Sequence, residues 1–497
     1  MSNNISLSKA VEITAFVPNE NSCGCIEKVN NASLTDGIKA TSDYNDEAWN
    51  RFFLGLGREI IVDLGGVFAV DGIEAGFLHD RSNNIFCPES VRVLLSENGV
   101  DYYPVTVVDA PYPASFGMAA RARYSADFGF AYRAEFVKLV FSVEELVYCD
   151  EISVFGSERS GFESSFPSSP ENFTHKNAYA DRNAVGAGDI VMIPYGTIGE
   201  RYCAIKSEEL LPCLAHIDTD GRITDTMFDA VAFVPARISP FGGSFDREGG
   251  PTTLDGWKYL IDELFADGIN LCALDDAVRD LKKWFGMPDD YKYKVFLAAP
   301  VPKISLQPFG DINGDGIEDK LITTEDCVNA YLWFVDEVKR RFDRLGLKNI
   351  TVDGWIWNEG TLSRERKDDE PEFAKACVTA LHERGYKCIF TSDFQSGFAE
   401  KADDIGFDLT VMNGGVDFGM FSENVEGVLD DLSSVCRKYG FGIEIDLRDS
   451  LSSRETAEDS FKTLYTVFTK SVENGLADAP RLYRLSPSHR AVFDCAV

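Results

Sequence analysis

The 497-residue chain contains few basic residues, few histidines and few cysteines for its length. Its 48 lysines and arginines stand against 81 aspartates and glutamates, which gives a formal net charge of −33. Such a field repels phosphate backbones and anionic lipid, so we expect no nucleic-acid partner and no membrane-surface partner. The five histidines lack metal-ligand spacing. Twelve cysteines are too sparse for a disulfide scaffold and indicate a reducing compartment.

The sequence also lacks a long apolar run and a recognisable leader pattern. No stretch of about 18 consecutive apolar residues occurs, so the sequence predicts no membrane span. The N-terminus shows no basic segment followed by an apolar stretch and a cleavage site. We therefore expect a cytoplasmic protein as the sequence stands, or an extracellular or cell-surface protein if a leader was trimmed. GxSxG and Walker motifs are missing as well, and we expect no organic cofactor.

The chain predicts two domains. Residues 157–172 are rich in Ser and Pro and have no sustained period, which is typical of a linker. Residues 1–156 contain short alternating apolar runs, such as Glu59–Asp63 and Val91–Leu95, separated by turn signals. This pattern predicts an all-β sandwich.

In residues 173–497, apolar strands alternate with helix-period segments. The predicted strands are Asp189–Tyr195, Phe228–Val234, Tyr293–Ala299, Asn349–Trp357, Tyr386–Thr391, Phe407–Met412, Phe441–Asp446 and Pro480–Leu485. The clearest predicted helices are Thr253–Phe265, Thr324–Leu345, Pro371–Arg384, Ser422–Tyr439 and Thr456–Asn474. The repeated β-then-α order predicts an α/β fold, a (β/α)₈ TIM-type barrel. A doubly wound open sheet is the alternative, but it would carry a Gly-rich turn after its first strand, and none is present.

The fourth predicted strand ends in a carboxylate. Strand alternation puts Trp355, Trp357 and Glu359 on one face, with Glu359 at the carboxyl end, where barrel enzymes hold their chemistry. Indole rings stack on sugar rings, and a nearby acid can reach the glycosidic oxygen. Asn358 lies between them and is a further candidate for sugar binding.

The seventh predicted strand supplies a second carboxylate, because Glu444 and Asp446 share one parity between isoleucines. A buried acid is costly unless it is paired or functional, and a salt bridge to Arg448 or Arg364 is the structural alternative. Glycoside hydrolysis needs two carboxyl groups facing the scissile bond, and strands four and seven can provide Glu359 and Glu444. Three strand ends offer further groups for sugar hydroxyls, namely Tyr195, Asp393 and Asn413.

A possible calcium loop lies between the third strand and the next helix. Its oxygen ligands at positions 1, 3, 5, 7 and 9 would be Asp311, Asn313, Asp315, the Ile317 carbonyl and Asp319. Position 12 is Ile322, so the bidentate acid of an EF-hand is missing. We expect structural calcium here, and a polar Asx-turn loop is the alternative.

The N-terminal domain resembles the discoidin, or coagulation-factor type C, family, which includes galactose-type carbohydrate-binding modules. The resemblance rests on Leu34–Gly37, Trp49, Ile61–Gly65, Pro88–Gly99, Val137–Val140 and Glu151–Gly156. It implies a jelly-roll-like sandwich with structural calcium near Asp36 and Glu151. It also implies ligand-binding loops at one end, and the candidates there are Trp49, His79, Arg81 and Asn84. A protein-binding or lipid-binding module stays open.

The C-terminal domain resembles a bacterial family of unknown function that is suspected to contain barrel glycosidases. The resemblance rests on Val352–Glu359, Gly442–Asp446 and Arg490–Asp494. The strand positions are similar to those of clan A retaining glycosidases, which implies Glu359 as acid/base and Glu444 as nucleophile. Asp446 is the other residue that can occupy the nucleophile's place.

The sequence therefore predicts a glycoside hydrolase, most simply a retaining one, that acts on a carbohydrate substrate held by an N-terminal module. The alternative from another class is a non-catalytic glycan-binding or adhesion protein with an inactive barrel. A polysaccharide lyase would need a Tyr or Lys base beside a cation that neutralises a uronate, and the acidic charge disfavours it.

Overall fold

The computed structural model describes most of the chain, with gaps. The described residues are 3–17, 27–113, 116–143, 145–158, 161, 163–171, 176–198, 201–218, 220–246, 249–362, 370–394, 396, 399–413, 425–447, 465–466, 469–470 and 472–485. The chain divides into two compact units. Unit 1 comprises Met1–His175, Thr361–Glu370 and Gln395–Glu400, and unit 2 comprises Lys176–Gly360, Pro371–Phe394 and Lys401–Val497.

Unit 1 is an antiparallel β-sandwich, as the alternating runs predicted. Its strands are β1 (Asn3–Asn4), β2 (Ala10–Ala15), β3 (Asn50–Phe53), β4 (Gly57–His79), β5 (Ser90–Ser96), β6 (Tyr103–Asp109), β7 (Ala120–Ser142) and β8 (Leu146–Ser157). They hydrogen-bond in the order β1-β8-β4-β7-β5-β6, and β2 pairs with β4 while β3 pairs with β8. Register shifts within β4 allow this 23-residue strand to bend around the core.

The core of unit 1 is built from the inward side chains of these strands. Phe77 packs edge-on against Tyr124 and Phe141, with ring centroids 5.0 and 5.1 Å away. Part of the predicted linker also packs against this unit, because the Phe166 ring stacks on Tyr103 at 4.3 Å. The polypeptide that leaves the sandwich is therefore docked on it through residue 171, where the Glu171 amide donates to the Tyr102 carbonyl.

Unit 2 contains a closed barrel of eight parallel strands. The barrel strands are β9 (Asp189–Ile198), β13 (Ala230–Pro235), β14 (Tyr293–Ala298), β17 (Ile350–Gly360), β18 (Lys387–Ser392), β19 (Leu409–Asn413), β20 (Gly442–Leu447) and β21 (Arg481–Leu485). Each is paired in parallel with the next, and β21 pairs with β9 to close the ring. The short strands β10 (Arg201–Cys203), β11 (Ala215–Ile217), β12 (Ile223–Thr226), β15 (Pro308–Gly310) and β16 (Asp319–Lys320) lie in the connections. Closure excludes the doubly wound open sheet.

Seven α-helices of unit 2 lie within the described residues. They are α1 (Ser207–Leu214), α2 (Leu254–Leu264), α3 (Asn270–Phe285), α4 (Thr324–Leu345), α5 (Glu370–Glu383), α6 (Ala402–Ile405) and α7 (Val425–Tyr439). Helix α4 has the predicted limits because Thr323 and Asp326 form a capping box and Gly346 ends the helix with φ +63°. Most of the predicted helix Thr456–Asn474 lies outside the described residues.

The barrel strands bury both faces. Side chains of one parity fill the lumen, including Met192, Phe296, Ile356, Ile389 and Val411. Side chains of the other parity face the helices, as the contact of Trp355 with Phe334 of α4 illustrates. The lumen is apolar over most of its length, so polar groups that enter it near the carboxyl ends of the strands stand out.

No described helix combines the length and the apolar character that a membrane span would require.

Candidate functional site

Glu444 occupies the lumen at the carboxyl end of β20. Its side chain shares the parity of Gly442, and the residue is only 3% exposed. Arg484 of β21 holds it through two bonds, from Nε to Oε1 at 2.6 Å and from Nη2 to Oε2 at 3.1 Å. Arg364 and Arg448, the partners expected for a purely structural glutamate, lie outside the described residues. Burial of this carboxylate is thus compensated by a bidentate charge-assisted pair.

Further polar side chains join this pair inside the lumen. The Oδ1 atom of Asn358 accepts from Arg484 Nη2 at 2.7 Å and from Thr391 Oγ1 at 3.3 Å. The Nδ2 group of Asn413 lies 3.4 Å from Glu444 Oε1. We call this group the lumen cluster, and its members are Asn358, Thr391, Asn413, Glu444 and Arg484. One side chain comes from each of the five successive strands β17 to β21, so closure of the barrel brings distant parts of the chain together.

The three predicted aromatic residues lie outside the lumen. Trp355 and Trp357 are 1% and 3% exposed, and Tyr195 is 1% exposed. The Trp357 ring packs between Tyr331 of α4 and Phe373 of α5, with centroids 5.9 and 5.4 Å away. These rings are core residues, which corrects the prediction of Trp355 and Trp357 as sugar-stacking groups and of Tyr195 as a group for sugar hydroxyls. The reason is the phase of the alternation, since Ile356 takes the lumen and sends its neighbours outward.

Glu359 follows Asn358 at a break in this alternation. The pairing of β17 with β18 shifts register between Trp357 and Gly360, so Asn358 and Glu359 together oppose one residue of β18. Glu359 is half-buried. Burial raises the pKa of the Tyr331 phenol, and the negative charge of Glu359 adds to that shift. Because Tyr331 belongs to α4, the Glu359 carboxylate lies near that helix. The bulge therefore holds Asn358 in the lumen while Glu359 sits at the rim.

The ends of β17 and β18 are fastened to each other at this rim. The Asp393 amide donates to the Gly360 carbonyl at 2.6 Å. Gly360 has φ +74°, and a Cβ atom there would lie 2.3 Å from Asp393 Oδ2. Only glycine permits this close approach. Asp393 itself is exposed, while Asp446 pairs in register with Arg484 and its side chain lies outside the described part of the structure.

The predicted ligand-binding residues of unit 1 separate into buried and exposed ones. Trp49 and His79 are 2% and 1% exposed. The Trp49 indole donates to the Asp43 carbonyl at 3.1 Å and packs on Tyr148. Both are core residues, which corrects their prediction as ligand contacts. Arg81 and Asn84 are exposed in the turn after β4.

An aromatic pair in the β6–β7 loop, near the His79 ring, was not predicted from the sequence. Tyr112 and Phe116 stack with centroids 4.5 Å apart and planes inclined by 10°. Both rings are partly exposed and lie 6.4 and 5.8 Å from the ring of His79. Two aromatic residues within the stretch Pro111–Phe116, outside any strand, were the available signal. The partly exposed rings offer a stacking surface, and the exposed Arg81 and Asn84, in the turn that follows His79, offer hydrogen-bond donors.

The residues near Asp36 and Glu151 fit a bound cation. Glu151 is 1% exposed, its Oε2 accepts from the Gly37 amide at 3.0 Å, and its Oε1 has no hydrogen-bond partner among the described residues. Burial raises the pKa of this carboxyl to about 7, and the charges of Asp36 and Asp150 add to the shift. A buried, partly unsatisfied carboxylate beside a second acid is the kind of donor set that calcium takes.

The loop from Asp311 to Asp319 curls around its first residue. Asp311 accepts from the amides of Gly314 and Gly316 at 2.6 and 2.8 Å. Asn313 accepts from the Asp315 amide, and Asp319 accepts from the Ile312 amide. The loop joins the antiparallel strands β15 and β16, so a strand precedes it instead of the helix that precedes an EF-hand loop. These bonds match the curled calcium loop and equally match a ligand-free Asx-turn loop.

One other group of metal-ligating atoms occurs among the described residues, formed by His382, Cys388 and Asp408. The Asp408 carboxylate already accepts from His382 at 2.8 Å, from Lys387 at 2.6 Å and from the Cys388 amide at 2.8 Å. Both oxygens of the carboxylate already accept hydrogen bonds, so this group is a satisfied hydrogen-bond cluster.

Comparison with known families decides what unit 2 is. The family model described as Domain of unknown function (DUF4855) matches residues 189–483, which is more than half of the chain. The chain belongs to the DUF4855 family. The match begins at the first residue of β9 and ends within β21, so it coincides with the closed barrel. No curated protein matches the chain.

Solved structures similar to the chain cover about a third of it. CpGH89CBM32-6 produced by Clostridium perfringens is 14% identical and has a TM-score of 0.21, over 31% of this chain and 100% of that chain. A Streptococcus pneumoniae fucose binding module, SpX-3, is 12% identical with a TM-score of 0.22, over 31% and 99%. A fucolectin from Morone saxatilis serum is 15% identical with a TM-score of 0.23, over 31% and 49%.

The lumen cluster of the DUF4855 barrel thus contains three residues that were predicted as site residues and two residues that were not. Asn358, Asn413 and Glu444 come together, and Thr391 and Arg484 join them. Arg484 shares the parity of Leu482, whose side chain packs in the lumen, but the sequence alone does not show which parity of this strand faces the lumen. The cluster supplies one carboxylate, one guanidinium, one hydroxyl and two amides, a set that can bind a hydroxylated ring and carry charge near it.

Proposed function

We propose that this protein is a glycoside hydrolase whose N-terminal module binds glycan. The observation that carries the proposal is the connection across the lumen between Glu444 and the end of β17. Arg484 bonds both Glu444 and Asn358, and Glu359 is the next residue after Asn358. Carboxylates at the carboxyl ends of non-adjacent barrel strands are what two-carboxylate glycoside cleavage requires.

The proposed reaction is retaining and divides the work between two acids. Glu359 donates a proton to the glycosidic oxygen as the bond from that oxygen to the anomeric carbon breaks. A Glu444 oxygen bonds to the anomeric carbon, and the protonated aglycone leaves. Glu359 then takes a proton from water, whose oxygen attacks the anomeric carbon and releases Glu444. The reaction requires the Glu359 side chain to turn from its position near α4 toward the mouth.

The finer assignments of fold and cofactor belong to the same proposal. Eight parallel strands with helices between them support a TIM-type (β/α)₈ barrel. The bent antiparallel sheets of unit 1 support a jelly-roll-like module. Structural calcium at Asp36 and Glu151, and in the Asp311–Asp319 loop, would neutralise clustered carboxylates and fix the loops that carry them. Tyr112 and Phe116, with Arg81 and Asn84, form the proposed glycan-binding surface.

A second candidate function is a binding-only protein with an inactive barrel. It is favoured by the bidentate ion pair of Glu444, because a carboxylate committed to two arginine bonds is also what a purely structural lumen would contain. Under that reading Arg484 and Glu444 stabilise the fold, and glycans contact unit 1 alone.

Turnover of a panel of 4-nitrophenyl glycosides tests the proposal against this alternative. Glu444→Gln and Glu359→Gln should each lower turnover of an accepted glycoside by about 10²- to 10⁴-fold. Asp353→Asn is the matched control, because this half-buried acid lies on β17 toward its other end. Full turnover in Glu444→Gln, or no turnover of any glycoside by the wild type, would contradict the hydrolase.

A further inference from the structure

One nitrogen of the Arg484 guanidinium, Nη2, donates hydrogen bonds to two different residues of the lumen cluster. Nη2 carries two hydrogens, and the structure directs it to Glu444 Oε2 at 3.1 Å and to Asn358 Oδ1 at 2.7 Å. Nε completes the grip on Glu444 at 2.6 Å. Because the guanidinium is planar and rigid, the positions of the carboxylate and the amide are tied to each other.

These bonds also decide which way the Asn358 amide faces. Arginine has donors only, so the atom that meets Nη2 must be the amide oxygen. Thr391 Oγ1 contacts the same oxygen at 3.3 Å. Both contacts point Oδ1 at β18 and β21, and the Nδ2 group therefore faces away from them. Among the described residues, Nδ2 donates no hydrogen bond.

We propose that Arg484 is the positioning residue of the barrel site. It fixes the Glu444 carboxylate on β20 relative to the Asn358 amide on β17. It acts on a bound sugar ring only through these two side chains. The inference rests on the proposed function for the identity of the reacting groups. It adds a residue from the eighth strand that neither the acid/base step nor the nucleophilic step includes.

The variant Arg484→Lys distinguishes the positioning role of Arg484 from the effect of its positive charge. The lysine ammonium keeps the positive charge, but it is a single point with a flexible stem and does not reproduce a fixed fork across both partners. Arg484→Lys should therefore retain a folded barrel and lose the alignment. Arg484→Met also removes the charge and leaves the buried Glu444 carboxylate without its ion pair, with only the Asn413 amide 3.4 Å away among the described residues. It is therefore compared with the double variant Arg484→Met/Glu444→Gln, which removes both charges of this pair.

The same strand offers a matched control. Arg481 grips Asp189 with the same two nitrogens, Nε to Oδ1 at 2.8 Å and Nη2 to Oδ2 at 3.1 Å. That pair lies at the opposite end of β21, and its side chains are 20% and 17% exposed. Arg481→Lys removes an equivalent fork without touching the lumen cluster.

The experiment combines kinetics with crystal structures of the full-length wild type, Arg484→Lys and Arg481→Lys, and of the double variant. Loss of one charge-assisted bond corresponds to about a 10- to 150-fold effect. We expect Arg484→Lys to lower kcat on an accepted 4-nitrophenyl glycoside by that factor with KM changed less than threefold. Its crystal structure should show the Glu444 carboxylate or the Asn358 amide displaced or rotated. Arg481→Lys should keep both kcat and the geometry of the cluster.

The outcomes separate the inference from the proposed function. Full kcat in Arg484→Lys with Glu444 and Asn358 unmoved would overturn the inference while the hydrolase stands. An inert wild type with a displaced cluster in both Arg484 variants would overturn the hydrolase while the positioning role stands. An inert wild type with an unmoved cluster in both variants would overturn both. A loss of kcat equal in Arg481→Lys and Arg484→Lys assigns the effect to stability and also overturns the inference.

Discussion

Glu151 should make the stability of unit 1 depend on both pH and calcium. Burial raises the pKa of this carboxyl from 4.5 to about 7, so the unfolded chain releases its proton at a lower pH than the folded chain does. The free energy of unfolding must then fall as the pH rises through this interval, and it is constant above about 7. The difference between 7 and 4.5 corresponds to about 3 kcal/mol, at about 1.36 kcal/mol per pH unit.

Calcium should cancel this loss because a cation beside Oε1 pairs the charge that burial disfavours. The assay is thermal unfolding of the full chain at pH 5 and pH 8, in calcium or in EDTA, for the wild type and Glu151→Gln. In EDTA we expect the wild-type transition of unit 1 to drop by about 5–10 °C more than that of Glu151→Gln between these pH values. Glutamine keeps an acceptor for Gly37 and has no charge to lose.

Glu47→Gln is the control, because Glu47 is exposed in the neighbouring loop. It should behave as the wild type does. Equal pH dependence in the wild type and Glu151→Gln would refute the role of burial at this carboxyl. An equal calcium response in both would refute the cation site.

Four further variants test single features. Asp311→Ala should remove one bound calcium per chain in equilibrium dialysis, because the loop curls around this carboxylate; unchanged stoichiometry would identify the loop as a ligand-free turn. Trp49→Ala should destabilise unit 1 by about 3–5 kcal/mol in urea unfolding because it empties a core site. Tyr112→Ser should instead leave the unfolding free energy within about 1 kcal/mol and weaken retention on a glycan affinity gel. The reverse pattern would restore Trp49 as the ligand contact. Trp357→Phe should lower the unfolding free energy by about 1–3 kcal/mol with KM unchanged, since the ring faces the helices; a raised KM with unchanged stability would place it in the site.

The barrel strands could be predicted from sequence because their signal is strong and local. Strands buried on both faces read as continuous apolar runs, and all eight predicted strands occur within a few residues of their predicted limits. The same property hides which parity faces the lumen. Trp355, Ile356 and Trp357 are all buried, so alternation predicts two faces without saying which one lines the barrel. The aromatic residues were assigned to the wrong face for that reason.

The lumen cluster depends on information that the local pattern does not contain. Asn358 and Arg484 are 126 residues apart and meet only because β21 closes on β9. The bulge at Asn358 and Glu359 is a shift in the register between β17 and β18. The local feature that accompanies it is Gly360, which has a positive φ. Glu444 could be predicted because an acid between two isoleucines on a barrel strand needs a reason. Its partner could not be predicted until the ring was closed.

Trapping the glycosyl-enzyme intermediate tests the central claim most directly. An accepted glycoside, rebuilt as its 2-deoxy-2-fluoro derivative with an activated leaving group, is incubated with the full chain and followed by intact mass and peptide mapping. We predict one added glycosyl mass, located on the peptide that carries Glu444 and absent from Glu444→Gln. Hydrolysis without any adduct and with inverted anomeric configuration, or an adduct on another residue such as Asp446, would contradict the account.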